Sequence, residues 1–199
     1  MDSTRQPDLT RQRILEAGFK EIHRQGFQAA SVCNILADTG LTKGALYHHF
    51  PSKKDLGLAV VDEVGVRLIE RNIAPLREAK HPAQALIDLI GAKQWQNEEY
   101  IRLGCPLNNL MQEMSPVDED FRSRLNHILG QWQAAFEEAL RRSQQAGEVR
   151  ADVDCKAAAL FIVSAWEGCT GVAKNTQSVA GFRACMSQLQ AYVRSLLKT

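Results

Sequence analysis

Thr42, Lys43, Gly44, Ala45, Tyr47 and His48 are the residues of this chain whose types and spacing best suit chemistry with an outside partner. A helical residue turns by about 100°, so Leu46 and Phe50 share an inward face. Gly44, Ala45 and His48 fall on the opposite face, with Lys43 and Tyr47 flanking. Two minimal side chains allow close approach to a duplex groove, while Lys43, Tyr47 and His48 can donate to base edges or phosphates. Lys43, Lys53 and Lys54 sit in first helical turns, where the dipole disfavours a cation by about 0.3–1 kcal/mol each. A phosphate at those turns is expected to resolve the conflict, because it also accepts from the free backbone N–H groups.

The elements that must position these residues are marked by caps. Ser31 caps a short helix carrying Ile35 and Leu36, Gly40 supplies a turn, and Thr42 caps the next helix. Leu41 and Leu46 have the spacing of a hydrophobic staple, and Ser52 with Asp55 forms an S-x-x-D start for a third helix. A solvated helical hairpin with a few lysines is the plainer alternative.

The segment LTKGALYHHFPSKKDL resembles the signature of the TetR family of bacterial transcriptional regulators. The resemblance implies an all-α chain with an N-terminal three-helix, helix-turn-helix DNA-binding head. A larger helical body for ligand binding and dimerisation follows, usually with repression relieved by a small molecule. Position by position, it brings Ser31, Thr42, Lys43, Gly44, Ala45, Tyr47, His48 and Lys53 to DNA. Asn34 and Leu36 depart from the family's usual acidic residue and alanine, and both lie off the reading face.

At 199 residues, with 45% hydrophobic and 24% charged residues, the chain is ordinary for a globular protein. Its net charge of +1 divides unevenly, residues 1–56 carrying +2 and the rest −1. That suits a specific operator better than a non-specific coat on nucleic acid. Cys33, Cys105, Cys155, Cys169 and Cys185 show neither CxxC spacing nor interleaved histidines, so neither a disulfide framework nor a zinc site is expected, and a reduced cytoplasm is. A polar N-terminus and the lack of any apolar run of about 18 residues predict neither export nor a membrane partner.

Residues 1–7 read as a lead, after which Asp8 or Thr10 caps a helix striped by Ile14, Leu15, Gly18, Phe19 and Ile22 and stopped by Gly26. Arg11 near its start is a candidate phosphate contact. The helix from Lys53 runs towards Pro75 and leaves the head, which sets a functional boundary between residues 1–56 and 57–199. Gly104–Pro106 breaks the helix that leads from Leu86 to Trp95 and Tyr100, and Ser115, Pro116 and Asp118 predict the start of a long helix through Phe121, Trp132 and Leu140. Asp152 or Asp154 opens the next helix, and Phe182 to Leu196 mark the last. No strand pattern is present, and the resemblance makes the last two helices the homodimer interface.

No P-loop, G-x-S-x-G, H-E-x-x-H or dinucleotide turn is present, so neither an enzyme nor a cofactor is expected. His48 and His49, adjacent on a helix, diverge and make a poor metal pair. In the body Trp95, Tyr100, Met111, Met114, Trp132, Phe161 and Trp166 are expected to line a mostly apolar ligand pocket, unless they are close-packed core. Pro106 at a first helical position makes Cys105 a cap, where the dipole favours a thiolate. GCPLNNLMQEMS resembles a branch of the family with a GC-L-N segment, some members of which respond to electrophiles or oxidants, although Pro106 stands where leucine is expected. Asn108, Asn109 and Gln112 can hydrogen-bond a polar ligand there. Two readings follow: a homodimeric repressor released from a palindromic operator by a small-molecule or electrophile inducer, or a stand-alone small-molecule or redox-sensing helical protein.

Overall fold

The computed structural model describes residues 5–198, with side chains from residue 9 onward. The chain is all-α, and two compact units can be distinguished in it. The first runs through Gly65 and adds Asn109–Leu125; the second comprises Val66–Asn108 and Asn126–Thr199.

In the first unit α1 (Arg5–Gln25) packs on α2 (Val32–Leu36) and α3 (Lys43–His49), followed by α4 (Lys53–Leu68). The stripe read from sequence forms its core, with Ile14, Ile22, Ile35, Leu46, Phe50 and Leu56 buried. The expected cap at Asp8 or Thr10 gives way to a start at Arg5, because Pro7 falls in the first turn, where a missing N–H costs nothing. Residues 1–4 of the expected lead lie outside the described residues. Gly57 is required by packing: a Cβ there would meet the Phe27 ring at 2.3 Å and the Phe121 ring at 2.8 Å, rings that themselves pack 4.7 Å apart. Phe121 lies on α9 (Glu119–Gln145), preceded by α8 (Pro106–Met114).

The long helix α9 is capped by Asp118 and not by Ser115. Asp118 Oδ1 accepts from the N–H groups of Asp120 at 3.0 Å and Phe121 at 3.3 Å, while Ser115 to Val117 remain a turn continuing α8. A carboxylate two residues past the proline takes two of the free amides at once, and so sets the start of the helix.

The second unit holds α5 (Ala74–Glu78), α6 (Pro82–Ile90), α7 (Glu98–Leu103), most of α9, α10 (Cys155–Thr176) and α11 (Val179–Ser195). A widened turn, Ile69–Ile73, follows α4, and a single 3-10 turn, Lys93–Trp95, precedes α7. Asp154 caps α10, accepting at 3.0 Å from both Lys156 and Ala157. The Arg142 guanidinium donates to the carbonyls of Leu76, Arg77 and Ala79, closing the C-terminal end of α5. Trp132, Phe136, Trp166 and Phe182 are fully buried between the helices.

A disulfide joins Cys169 of α10 to Cys185 of α11, which corrects the expectation of free thiols throughout. Wide sequence spacing hid it: the two helices lie antiparallel and bring the Cα atoms to 5.8 Å, within bonding reach. Cys33, Cys105 and Cys155 are free. Among the described residues no helix is long and apolar enough to cross a membrane.

Candidate functional site

Short-range capping builds the proposed reading face of the first unit. Ser31 Oγ accepts from Asn34 N at 3.0 Å and Thr42 Oγ1 from Ala45 N at 3.2 Å, which fixes the starts of α2 and α3. Gly40 turns the chain between them with φ +66°, a conformation costly for any residue with a Cβ. Ser52 and Asp55 form the third start, Asp55 N donating to Ser52 Oγ at 3.1 Å and the hydroxyl donating to the carboxylate at 2.6 Å.

Burial of Leu46 and Phe50 turns the other side of α3 outward: Thr42, Lys43, Gly44, Tyr47 and His48 are exposed and Ala45 is half-buried. A Cβ on Gly44 would meet nothing closer than Thr42 Oγ1 at 3.7 Å, ordinary contact, so packing within the chain does not require glycine there. Lys43 has no ion-pair partner among the described residues.

The other cations are partly committed within the protein. Arg11 lies over the Phe50 ring at 4.9 Å, and Lys53 lies over Phe27 at 4.8 Å while donating to the Gln28 carbonyl at 3.0 Å. Lys54 corrects the phosphate expectation, because Asp118 at 2.8 Å and Asp120 at 2.6 Å already neutralise it. Its ammonium is held above the usual lysine range by Asp118 and then Asp120, and Asp118 is held below the carboxylate range by Lys54. The sequence separation between Lys54 and Asp118 kept this pair from view.

In the second unit an aromatic cluster adjoins a buried polar one. Trp166 packs against Trp95 at 5.6 Å and Trp132 at 5.8 Å, and Tyr100 against Trp95 at 5.5 Å. Four of the expected pocket residues, Trp95, Tyr100, Trp132 and Trp166, are thereby linked ring to ring. Phe161 corrects its assignment: it is 50% exposed and meets Tyr192 edge to face, because it lies on the outward side of α10. Asn109, Met111 and Met114 belong to the first unit, Met114 as buried core.

Cys105 is buried, and its thiol is pushed well above the usual cysteine range by burial and then by Glu167. Backbone N–H groups of Asn108 and Leu107 act in the opposite sense, as a cap should, but are outweighed. The expected thiolate is therefore disfavoured. Burial likewise pushes the Tyr100 hydroxyl up, and its oxygen lies 3.5 Å from Thr170 Oγ1. Glu167, absent from the sequence assignments, is pushed up to about 7 by burial, eased by the Cys105 thiol. Among the described residues neither of its carboxylate oxygens accepts from an N–H or O–H group, and the buried indole Nε1 of Trp132 has no acceptor. A signal was present in the sequence: Glu167 is the one charged residue between Ala157 and Ala173.

Two family models match the chain. Residues 14–60 match the model for bacterial regulatory proteins of the tetR family, and residues 84–189 match that for the tetracyclin repressor-like C-terminal domain. The transcriptional regulator AcuR of Cereibacter sphaeroides is 32% identical over 168 residues, covering 80% of this chain and 74% of that protein. The transcriptional repressor DhaR of a Mycobacterium species is 26% identical, covering 79% of each. A TetR transcriptional regulator from Chloroflexus aurantiacus superposes with a TM-score of 0.85 at 25% identity, covering 98% of both chains. With both of its halves matched, the chain belongs to the TetR family of DNA-binding transcriptional regulators.

Proposed function

We propose that the chain is a repressor that binds a palindromic operator as a homodimer and is released by a small molecule. Residues 1–56 read the operator, and residues 57–199 bind the effector and dimerise. The observation that carries the reading is Gly44, a glycine in the exposed face of α3 whose added Cβ would make only ordinary contact, beside Lys43, which has no ion-pair partner among the described residues. Thr42, Ala45, Tyr47 and His48 complete the contact surface, with Ser31, Arg11 and Lys53 towards the flanking phosphates. Exposed Leu160, Phe161 and Val172 on α10, and an apolar groove that Gly168, Val172 and Gly181 help to line, suit pairing with a second copy.

The Gly104–Cys105 turn, with Gly104 at φ +74°, supports membership of the GC-L-N branch. Within that branch the buried, high-pKa Cys105 favours a reversibly bound effector over an electrophile, since attack requires the thiolate. Selecting bound duplexes from a random pool tests the reading. A recovered inverted repeat supports it, and recovery of no preferred sequence returns the chain to a stand-alone sensor.

A further inference from the structure

Glu167 places a carboxylate inside the second unit, and among the described residues the Cys105 thiol is the one side-chain donor beside it. The residue is 8% exposed, and among the described residues neither oxygen accepts from an N–H or O–H group. A buried carboxyl group in native proteins is normally paired, because an unpaired one forfeits its hydration. Its surroundings are specific. Asn108 Nδ2 donates to the Glu167 backbone carbonyl at 3.5 Å, and Thr170 Oγ1 donates to the Trp166 carbonyl at 3.0 Å, so neither serves the carboxylate in this arrangement. Among the described residues, the Cys105 thiol is the one side chain that eases ionisation of Glu167. Trp166, next to it on α10, joins Trp95 and Trp132 in the aromatic cluster. A cation already rests on that cluster, the Arg71 guanidinium lying 4.7 Å over the Trp95 ring.

We propose that Glu167 anchors the protonated amine of an effector whose apolar part contacts the tryptophans around Trp166. An ammonium supplies the hydrogen bonds and charge that the two carboxylate oxygens lack, and the ring faces attract the same cation. A carboxylate or phosphate ligand would be repelled at this position. The proposal rests on the body being the effector-binding part of the regulator.

The test uses the full-length protein and matched probes: 2-phenylethylamine, 2-phenylethanol and 3-phenylpropanoate, with the naphthyl analogue of each. Binding is read by tryptophan fluorescence and calorimetry. In wild type the amines should bind about tenfold or more tightly than their neutral partners. Glu167→Gln should abolish that preference while leaving affinity for the alcohols. Equal or weaker binding of the amines in wild type overturns the proposal, as does an undiminished preference in a folded Glu167→Gln protein. Should that variant fail to fold, the wild-type preference decides alone. A gel shift on an operator selected from a random pool separates the two levels: release by an alcohol or an acid leaves the regulatory reading standing without the amine, whereas absence of operator binding removes the regulatory reading itself.

Discussion

The Glu113 carboxylate accepts hydrogen bonds from the backbone N–H groups of Phe27 and Gln28, each at 2.8 Å. These amides follow the Gly26 turn that ends α1, at φ +84°, and a Cβ on Gly26 would come within 2.8 Å of the same carboxylate. One side chain of α8 thus fixes the turn between the first two helices of the head. Glu113→Ala is expected to destabilise the protein by about 1.5–3 kcal/mol, the loss of hydrogen bonds to a charged acceptor. Urea denaturation checks this, and an unchanged midpoint would show the contact to be idle.

Gly44→Leu should move stability and function in opposite directions. Replacing glycine inside a helix by a good helix former gains about 0.5–1 kcal/mol, and among the described residues an added Cβ meets only Thr42 Oγ1, at an ordinary 3.7 Å. The same side chain blocks groove approach, so operator affinity should fall by tenfold or more in a protein with a raised Tm, roughly the scale of one lost base contact. Retained affinity would free Gly44 of any contact role.

Glu167 should give the stability curve a slope. Its carboxyl is pushed up to about 7 in the folded state, above the ordinary glutamate value of about 4.3. The folded protein therefore binds more protons over this range, and stability falls as pH rises from the unfolded value through the folded one. Glu167→Gln removes the penalty, on the order of 3 kcal/mol by pH 8. Denaturation midpoints from pH 5 to 9 decide: parallel curves for wild type and variant would contradict the buried ionisable group. The Cys105 thiol, also pushed upward, adds a further loss only as pH approaches its ordinary value of about 8.5, and Tyr100 adds none below about 10.

The disulfide between Cys169 and Cys185 closes a loop of 16 residues in sequence. Reduction, or Cys169→Ser, should cost about 2–4 kcal/mol of stability. Mass mapping of the oxidised peptide pair together with denaturation in reductant checks this.

What the sequence made legible was local. Ser31, Thr42 and Ser52 cap as read, and Asp154 is the one of the two aspartates offered that caps, because an N-cap is decided within three residues; the buried stripe of Ile14, Ile22, Leu46 and Phe50 follows from helical period alone. The contacts that escaped join residues distant in sequence: Lys54 with Asp118, Glu113 with Phe27, and Cys169 with Cys185. Phe161 escaped for another reason, since α10 carries apolar residues on both its inner and outer sides and period could not tell them apart. Cys105 was read by its cap position, and burial beside Glu167 outweighed that position.

Fluorescence anisotropy with an operator selected from a random pool, wild type against Lys43→Ala across a salt series, tests the central claim most directly. Two reading helices should span half-sites about 34–36 Å apart, one turn of duplex. Loss of Lys43 should weaken binding by about 1–3 kcal/mol and flatten the salt dependence by about one counterion per chain if the contact is to phosphate. Equal affinity and equal salt slope for both proteins, with the fold intact, would contradict the assignment of α3 as the reading helix.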